Sequence, residues 1–352
     1  MNTGIAGINL KIRDQTLVIS SQRELRILSS APLNGGLSIS RTIINHHVPK
    51  GFHTLAPEHY LGKLLRKLEL EQNTVGLMTA ADVRNVSVAN SNRSGVSLCV
   101  AVTAGTSNAM AAGDDPTHFR HIGTINTIIL LDSNPTDACL VEIVKTATEA
   151  KSVALRQIDI VSHASNQTAS GTSTDTVTVA ATCRGKPLRF AGTATSFGCE
   201  LSRNIVKALK DGLRRQDKIT PGRSVEVRLK EKGITSERIM KAASRRLHEK
   251  PSTQTRKRLI LWKTSIHNIL QRIDVAAVIL ASLKICGDAS NSRIYTQIAK
   301  GTGSSIAYMI GGEAARLEFE KARCNGKRPL DFVFEGIVSG VVQNTLENTR
   351  FE

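Results

Sequence analysis

Aromatic residues are scarce in this chain: they make up 3% of its 352 residues and include a single tryptophan. The hydrophobic fraction is nevertheless 40%, close to that of ordinary globular proteins. The core must therefore be built mainly from Val, Ile, Leu and Ala. The length is sufficient for two domains of ordinary size, and disorder over most of the chain is not expected.

Paired cysteines and long apolar runs are also missing. The six cysteines form no C-x-x-C pair, so neither a zinc knuckle nor a disulfide framework is predicted, and reduced thiols in the cytoplasm fit best. The most apolar segment, residues 275–283, has about half the length that a membrane span needs. The first fifteen residues lack the basic segment and apolar core of a secretory signal. We therefore expect no membrane span and a cytoplasmic location.

Acidic residues are outnumbered, since 47 Lys and Arg face 30 Asp and Glu and give a formal net charge of +17. Such a charge makes nucleic acid or an anionic surface a candidate partner. Much of the excess lies between Arg223 and Lys263, where almost no aromatic side chain could stack on a base. The pattern favours a solvated basic helical surface over a nucleic-acid interface. It would also suit a phosphate-bearing ligand.

Hydrophobic periodicity divides the chain near residue 222. Before it, short apolar runs separated by turns predict strands of one sheet, with helices near 57–71, 135–151 and 197–216. A strand, polar loop, strand and helix are predicted twice, at 96–151 and 174–216, the second time with a strand pair at 176–182 and 188–193. After Pro221-Gly222 strand signals nearly vanish. The predicted helices there cover residues 236–249, 255–273, 275–285, 292–299, 305–323 and 329–347.

These patterns predict a two-domain architecture. Residues 1–222 should form a layered α+β or α/β domain with a mixed sheet, and residues 223–352 an all-α domain. In such layered folds the loops gather at one edge of the sheet, where ligand sites usually form.

The stretch from Val102 to Asp132 exchanges β-branched residues for Gly, Thr, Ser and Asn between two apolar runs. Such a segment offers backbone N–H groups and short polar side chains to a ligand, although an ordinary connection between strands has the same pattern. The residues in question are Gly105, Gly113 and Gly123, which permit positive φ or close approach, and Asn108, Asp114 and Asn126, which supply hydrogen bonds and one charge.

Histidines and a carboxylate at strand ends are candidate catalytic groups. Asn45, His46 and His47 close a predicted strand just before Pro49. Because adjacent side chains on a strand face opposite ways, only one of the two histidines should face a given pocket unless a bulge turns both inward. Asp82 follows another strand and could act as a general base or orient a histidine, but an Asp capping a turn has the same pattern.

Other polar clusters give weaker signals. The spacing of His53, Glu58 and His59 does not match the helical zinc motifs, so a metal site there has little support. The hydroxyl-rich segment 170–175 lacks a nucleophile elbow but could form a nest of donors. Segment 192–198 precedes a helix without a lysine at Walker A spacing, which excludes a P-loop.

Six polar blocks, in this order, together resemble the adenosylcobinamide amidohydrolase family over roughly residues 25–212. They are Ser30–Gly36, Asn45–Pro49, Gly76–Asp82, Val102–Ala109, Gly123–Thr127 and Ser170–Asp175. The resemblance implies a role in corrinoid salvage: hydrolysis of the amide that joins the aminopropanol arm of adenosylcobinamide to the corrin ring, with release of adenosylcobyric acid. The corrinoid is then the substrate, and no cofactor is expected for this reaction.

The residues are chemically compatible with that implication, because a corrinoid edge carries carboxamides to which loop amides and hydroxyls are complementary. We expect His46 or His47, oriented by Asp82 or Asp175, to act as base, with N–H groups around residues 105–107 as oxyanion donors. The substrate-binding residues on this hypothesis are Asn34, Asn45, Thr103, Gly105, Thr106, Ser107, Asn108, Asp114, Asn126 and Ser173, which should converge at one rim.

Residues 224–352 resemble a different family, the helical phosphatidylglycerophosphatase A-like domains, which occur fused to the first family as an α-ribazole phosphate phosphatase. The resemblance lies in Ala307–Gly312, Phe319, Arg323, Lys327–Leu330 and Ile337–Val341. Such a phosphatase would need Mg²⁺ held by carboxylates, for which Glu313, Asp331 and Glu335 are the candidates. Several acidic positions of that family are replaced in this chain, so a decayed, structural helical domain is the equal alternative.

Three functions therefore remain open at this stage. The leading one is an amidohydrolase of corrinoid salvage, and the second is a non-catalytic corrinoid-binding protein with the same loops. The third is a basic protein associated with nucleic acid, which predicts binding that weakens steeply with salt. The sequence carries no signal for an oligomeric state.

Overall fold

The computed structural model of the protein describes residues 1–115, 123–165, 167–247, 256–288, 293–322 and 329–349. The chain forms two compact units, Met1–Pro221 and Gly222–Glu352. The division lies next to the boundary predicted near residue 222. The first unit combines a mixed sheet with helices and the second is helical over its described residues, which confirms the predicted fold class.

The first unit alternates strands with three described α-helices. In chain order its strands are β1 (Ile8–Arg13), β2 (Thr16–Ser29), β3 (Gly36–His47), β4 (Val75–Thr79), β5 (Ser87–Ser91), β6 (Ser97–Ala104), β7 (Ala109–Met110), β8 (Ile125–Asp132), β9 (Asn134–Pro135), β10 (Gly171–Thr172), β11 (Thr176–Ala181) and β12 (Pro187–Leu188). The helices are α1 (Pro57–Lys67), α2 (Asp137–Gln157) and α3 (Ser196–Asp217). Thr136 and Thr195 cap α2 and α3, each accepting a hydrogen bond from a backbone N–H of the first turn.

The main sheet has eight strands in the order β4-β3-β2-β11-β8-β6-β5, with β1 paired to β2. Two neighbouring pairs are parallel, β3 with β4 and β8 with β11, and the remaining pairs are antiparallel. The parallel pairs require crossover connections, which contain α1 and α2 respectively.

The sheet folds over on itself at the middle of β2. A register shift between Ser20 and Leu25 divides this strand: its first half pairs with the end of β3, and its second half pairs with the start of β3 and with β11. β4 and β8 lie four places apart in the sheet order, yet they are in contact. The two halves of the sheet must therefore face each other.

The side to which each strand residue points shows how the layers are stacked. Ile128 and Leu130 of β8 belong to the cluster between the two halves of the sheet, together with Ile43 of β3 and Leu77 of β4. The alternate residues of β8, among them Ile129, pack against α2 and α3 instead, as a period of two requires. On the other side, Ile44 of β3 packs against Leu61 and Leu65 of α1. The first unit is thus layered as helix, sheet, sheet, helix.

The predicted strand over residues 188–193 was wrong, and with it the second copy of the apparent repeat. Only Pro187–Leu188 is extended, and it pairs with β9 rather than with β11. The backbone that follows bonds to side chains of α2: Ala191 N donates to Glu142 (2.7 Å), and Thr146 donates to Ala191 O (2.8 Å). These bonds take the place of a strand ladder. The apolar runs at 16–20 and 25–29 predict two separate strands, but in the structure one strand, β2, covers both.

The second unit is built from helices α4 (Val225–Glu231), α5 (Ser236–Arg246), α6 (Arg256–Gln271), α7 (Ile273–Asp288), α8 (Arg293–Lys321) and α9 (Pro329–Thr349). Ser224 and Thr235 cap α4 and α5. Its core joins α5, α7, α8 and α9 through Ile239, Ile279, Ile306 and Ile337. Arg323, Lys327 and Arg328, which contribute to the second resemblance, lie outside the described residues.

The interruption predicted at residues 300–304 of α8 was also wrong. Thr302 and Ser305 donate to carbonyls of the preceding turn, at 3.1 and 3.0 Å, so these polar residues are accommodated within the helix. The departure from helical geometry comes later, at Gly311 and Gly312, where Gly312 has φ +67°. A Cβ on Gly311 would lie 2.7 Å from Gly340 O of α9, so this glycine permits close approach of the two helices.

Among the described residues, no single helix has both the length and the hydropathy to cross a membrane. One pair of segments, Trp262–Gln271 and Ile273–Leu283, has them only when the two are taken together, and the pair is bent by 79°. Cys99, Cys139, Cys183 and Cys199 are free thiols. Burial raises the pKa of the Cys99 thiol to about 12, which keeps it protonated and inert.

Candidate functional site

A cleft of about 360 Å³ opens where β3 and β4 end and β8 and β11 begin. Its walls come from the segments that follow β2, β3 and β4 and from those that precede β8 and β11. Because parallel neighbours end, or begin, at the same edge of a sheet, the folded sheet brings all these segments together. The polar groups in the lining are Ser30, His53, Thr54, Thr79, Thr124, Thr174, Asp175 and Thr176.

Buried amides link the strand ends beneath the cleft. Asn126 Nδ2 donates to Asn45 Oδ1 (2.9 Å), and Asn45 Nδ2 donates to Thr103 Oγ1 (2.8 Å). Thr176 donates to Asn126 Oδ1 (2.8 Å), and Asn126 Nδ2 also donates to Met78 O (2.8 Å). Asn45 and Asn126 are fully buried. The structure thus brings together Asn45, Thr103 and Asn126, but it turns their polar atoms toward one another rather than toward a ligand.

Asn108 forms a second buried link. Its Oδ1 accepts from Gly123 N (2.6 Å) and its Nδ2 donates to Ser173 Oγ (2.6 Å), which joins the start of β8 to the turn between β10 and β11. A Cβ on Gly123 would lie 2.4 Å from Gly105 O and 2.6 Å from Ser107 N, so no side chain fits there. Asn108 therefore positions the cleft wall that contains Thr124 and Thr174.

Asp175 lies in the cleft lining and is almost buried. Its carboxylate accepts hydrogen bonds from Lys151 Nζ (2.6 Å), Ile125 N (3.0 Å), Thr172 N (3.0 Å) and Thr172 Oγ1. Two carboxylate oxygens offer about four lone-pair positions, and these donors occupy them. The structure gives Asp175 an anchoring position rather than the predicted contact with His46 or His47.

Lys151 is the residue at this site that sequence reasoning missed. Its side chain is 12% exposed and that of Asp175 is 10% exposed, so the two form a nearly buried ion pair. A signal was present in α2, where Ala147, Ala150 and Ala154 form the buried face and Lys151 lies one turn after Ala147. A lysine bordering a buried face is a candidate for an internal ion pair.

His46 and His47 lie on opposite faces of β3, as alternation along a strand requires. The ring nitrogens of His46 face Thr16 Oγ1 (2.8 Å) and the hydroxyl of Tyr60 in α1 (3.2 Å). Burial lowers the pKa of His46, and the positive charges of His47 and Lys67 lower it further. His46 is therefore a neutral imidazole held on the α1 side of the sheet, outside the cleft lining.

His47, the last residue of β3, lies close to Asp82, which follows the end of β4. His47 Nδ1 contacts Ala81 O (3.0 Å), and its charge contributes to lowering the pKa of Asp82. The larger cause is Arg84, which forms hydrogen bonds of 2.6–3.0 Å with the Asp82 carboxylate. Asp82 also accepts from Arg84 N at the start of a short 3-10 helix, the turn-capping role that the sequence left open. Neither His47 nor Asp82 lines the cleft.

The backbone proposed to supply oxyanion donors is largely used within the fold. Gly105 N donates to Thr124 O (3.1 Å), and Thr106 N and Oγ1 both donate to Asp217 at the end of α3 (2.9 and 3.1 Å). Thr106 thus fixes the loop after β6 to α3.

Three other predicted residues lie away from the cleft lining. Asn34 donates to the carbonyls of Gln72 and Thr74 (both 2.8 Å) and holds the segment before β4. Asp114 accepts from Ala111 N and Ser162 Oγ. Burial alone would raise the pKa of Asp114, but these hydrogen bonds and one from Ser165 lower it. Gly113 has φ +96°, a conformation that favours glycine, in the same turn.

The hydroxyls that line the cleft retain capacity for a ligand. Ser30 Oγ accepts from Val177 N and Thr54 Oγ1 accepts from Ala56 N, and neither hydroxyl donates to any partner among the described residues. Thr174 Oγ1 donates to Gly123 O (3.1 Å), so the proton in its 2.8 Å contact with Thr124 must come from Thr124. The cleft therefore offers hydroxyl donors at Ser30 and Thr54 and, at Thr124 Oγ1, an acceptor.

The carboxylates proposed to bind Mg²⁺ in the second unit are separated. Glu313 pairs with Arg316, whereas Glu335 pairs with Arg246, which also binds Glu318 (3.1 Å). Asp331 lies in the first turn of α9. Within the parts of the chain that the structure describes, no three His, Cys, Asp or Glu side chains are grouped so that they could hold a metal ion.

Comparison with known proteins identifies the first unit. The family model for adenosylcobinamide amidohydrolase matches residues 3–221. A protein of Methanosarcina mazei named adenosylcobinamide amidohydrolase is 31% identical over 212 residues, which are 57% of this chain and 96% of that protein. An uncharacterized protein of Methanocaldococcus jannaschii is 26% identical over 229 residues, 58% of this chain and 88% of that protein.

The family match ends where the first unit ends. Residues 222–352 lie outside it, and these comparisons give no support to their resemblance to phosphatidylglycerophosphatase A-like domains. The first resemblance, by contrast, is confirmed over more than half of the chain. The chain belongs to the adenosylcobinamide amidohydrolase family and is an amidohydrolase.

Proposed function

We propose that this chain hydrolyses the amide that joins the aminopropanol arm of adenosylcobinamide to the corrin ring, with release of adenosylcobyric acid. Membership of the family supports the proposal. The single observation that carries it is the cleft, whose lining combines free hydroxyl donors with an acceptor and so matches both polar ends of an amide group.

The hydrogen-bonding pattern suggests how the amide is held. The hydroxyls of Ser30 and Thr54 can donate to the carbonyl oxygen, and Thr124 Oγ1 can accept from the amide N–H. Val48, Pro49 and Phe52 supply apolar lining for the carbon atoms of the arm. A cleft of about 360 Å³ suits the arm but is smaller than the corrin macrocycle, which would remain at its mouth.

The buried polar residues have a supporting role in this proposal. Asn45, Asn126 and Asn108 hold the strand ends from below, and the Lys151–Asp175 pair holds the turn that contains Thr174. A site whose walls are fixed before the substrate arrives loses little conformational freedom on binding. We therefore place these predicted binding residues behind the cleft wall.

The test of the reaction is direct. The purified chain is incubated with adenosylcobinamide, and the free acid and aminopropanol product are separated by chromatography. Release of adenosylcobyric acid is expected. A protein that binds adenosylcobinamide but releases no acid would contradict the proposal and support the non-catalytic corrinoid-binding alternative.

The Thr124→Val variant tests the proposed contact with the amide. It keeps the shape of the side chain but removes the acceptor, so kcat/KM should fall about tenfold, the value of one net hydrogen bond. Thr148→Val is the matched control, because Thr148 is exposed on α2 and its hydroxyl bonds only within that helix. Equal kcat/KM for the Thr124 variant and the wild type would exclude the contact.

The histidine and carboxylate hypothesis from the sequence is tested by single alanine variants of His46, His47, Asp82 and Asp175. Full activity in all four would end that assignment. His46 and His47 lie outside the lining, so their variants are expected to act through stability rather than through the chemical step. The Asp175 variant is expected to lower activity, because the carboxylate anchors the turn beside the cleft.

For the second unit, the arginine pairs of Glu313 and Glu335 favour the structural alternative over a Mg²⁺-dependent phosphatase. The test is phosphate release from α-ribazole 5′-phosphate by the full chain, with and without Mg²⁺. No Mg²⁺-dependent release is expected. Release that EDTA abolishes would support the phosphatase.

A further inference from the structure

We propose that His53 is the catalytic base of the amide hydrolysis, an inference that rests on the proposed function. His53 lies in the loop between β3 and α1 and is part of the cleft lining. Its side chain is exposed to the cleft and has no hydrogen-bond partner among the described residues. Among the described residues that line the cleft, His53 is the histidine. His46 and His47 lie outside the lining.

The loop holds His53 in place from both sides. Before it, Val48 N donates to Thr79 O at the end of β4 (2.8 Å), and Phe52 N donates to Pro49 O (2.9 Å). The ring of Phe52 packs on Tyr60 of α1 with 4.8 Å between centroids. After it, Thr54 Oγ1 accepts from Ala56 N (3.1 Å). The backbone on either side of His53 is therefore fixed while its imidazole is left to the cleft.

Hydrogen bonding and position separate His53 from the two histidines of β3. Both ring nitrogens of His46 are occupied, by Thr16 and Tyr60. His47 Nδ1 contacts Ala81 O, and His47 lies outside the cleft lining. A general base must have a nitrogen lone pair within reach of the water whose proton it takes. The imidazole of His53 meets this requirement without breaking any bond in the structure.

The chemical step balances with water as the second substrate. His53 takes one proton as the water oxygen bonds to the amide carbon, and the carbonyl oxygen becomes an oxyanion within reach of the Ser30 and Thr54 hydroxyls. When the tetrahedral carbon expels the nitrogen, the C–N bond breaks and the imidazolium returns its proton to that nitrogen. The products are the acid and the amine, and His53 is neutral again.

The other titratable group in the described lining is Asp175. Its carboxylate is paired with Lys151 and saturated by three further hydrogen bonds, so it is not placed to compete for the proton. The remaining polar groups of the lining are the hydroxyls of Ser30, Thr54, Thr79, Thr124, Thr174 and Thr176. The geometry thus separates the roles: the hydroxyls bind the amide, and the imidazole moves the proton.

The experiment compares the full-length variants His53→Gln, His53→Asn and His53→Ala with the wild type on adenosylcobinamide. We expect kcat to fall by at least about 100-fold while KM changes little, since the group acts in the chemical step. Turnover by the wild type should fall on acidification, because a general base must be unprotonated to act, and the residual activity of His53→Gln should lack that fall. Added imidazole should restore part of the turnover of His53→Ala.

His59→Gln is the matched control, because His59 is also exposed and lies on α1 outside the cleft lining. It should behave as the wild type. All three His53 variants should keep the wild-type melting temperature, since the side chain makes no hydrogen bond with any described residue.

The outcomes separate the two proposals. If the wild type releases adenosylcobyric acid and a folded His53→Gln does so with a similar kcat and the same pH profile, His53 is not the base, although the proposed function stands. If the wild type releases no acid, the proposed function fails and the inference fails with it.

Discussion

Gly123 is the residue on which the cleft wall most depends. It follows the segment after β7 and precedes Thr124, and its Cα lies against the backbone of the loop after β6. The amide N–H of Gly123 donates to Asn108, and its carbonyl accepts from Thr174. This one residue therefore joins three segments of the wall, and it can do so only because it has no side chain.

The Gly123→Ala variant should lose about 1–3 kcal/mol of unfolding free energy, the usual cost of overpacking. The added methyl would lie 2.4 Å from Gly105 O and would separate the two loops. Urea unfolding followed by circular dichroism measures the loss. The control is Gly62→Ala in α1, where the added Cβ meets nothing within 4 Å, and which should gain up to about 1 kcal/mol from helix propensity. An unchanged midpoint for Gly123→Ala would contradict the packing described here.

His46 should make stability depend on pH. Its folded-state pKa lies below the ordinary value of 6.5 because of burial and the nearby charges of His47 and Lys67. Below pH 6.5 the unfolded chain therefore binds the proton more readily than the folded chain, so the free energy of unfolding falls as the pH drops toward the folded-state pKa.

Denaturant unfolding between about pH 7 and pH 5 measures this effect, with the slope compared between wild type and His46→Gln. The variant should show a shallower decline on acidification, whatever its absolute stability. His59→Gln, on the exposed face of α1, should keep the wild-type slope. A steeper decline for His46→Gln would contradict the assignment of His46 as a buried neutral imidazole.

At the residue scale, the sequence indicated several of the polar side chains that come together but not where they point. Asn45, Asn108, Asn126 and Asp175 do meet in one region, as their places at strand ends predicted. Asn45 and Asn126 face inward because the sheet folds over, which puts the inner faces of β3, β6 and β8 within hydrogen-bond distance. Asn108 and Asp175 instead bond to neighbouring loops and to α2. Local sequence patterns contain no information on how the sheet folds over on itself. Lys151 was missed because its partner Asp175 is distant in sequence. His53 was considered only for a metal site, because its place in the cleft lining depends on segments that are distant in sequence.

Helix α2 is tied to the turn between β10 and β11 by the Lys151–Asp175 pair. Removing one partner of a buried ion pair is costly, because the other charge stays without its counterion. Asp175 would keep its bonds from Ile125 N and Thr172. The link between α2 and the turn therefore depends on the Lys151–Asp175 pair for charge balance more than for hydrogen bonding.

The Lys151→Met variant should lose about 3 kcal/mol of unfolding free energy and should lower turnover, since the turn beside the cleft loosens. The double variant Lys151→Met/Asp175→Asn should recover part of the loss, because the unpaired charge is gone. Lys145→Met, an exposed position on the same helix, is the control and should be close to neutral. Equal stabilities of the Lys151 and Lys145 variants would refute the coupling.

Arg246 of α5 has the corresponding role in the second unit, where it contacts Glu318 of α8 and Glu335 and Ser339 of α9. The Arg246→Met variant should lose about 2 kcal/mol, less than a fully buried pair, because the arginine side chain is 27% exposed. Thermal unfolding measures the change, and the exposed neighbour Arg245→Met should remain near wild type. An Arg246→Met variant with wild-type thermal stability would show that Glu318 and Glu335 do not need this cation.

Most elements of the fold were predictable from periodicity, because α2 and α3 each have an apolar face and a threonine cap. The failures have physical causes. Residues 189–193 resemble a strand, but their backbone bonds to side chains of α2, which no local pattern reveals. The polar run at 300–304 resembles a loop, but its hydroxyls bond within α8, so the helix continues.

The whole molecule consists of two units, and the family match coincides with the first. The relative from Methanosarcina mazei is covered to 96% by 212 aligned residues, so it has about the length of this unit. A fragment of residues 1–221 should therefore fold alone and keep kcat within about twofold of the full chain. The measurement is turnover of adenosylcobinamide by both proteins. A fragment that aggregates or loses turnover would show that residues 222–352 are required.

Strand β2 has a consequence for how the protein is made. Its second half pairs with β11, so that Ser29 lies opposite Thr178 across some 150 residues of chain. During synthesis the ribosome must release residue 181 before β2 can acquire this neighbour, and until then one edge of the nascent sheet stays open. Such distant pairing is slow to form. Maturation of the first unit should thus be a late, all-or-none event, and the incomplete chain a target for chaperones.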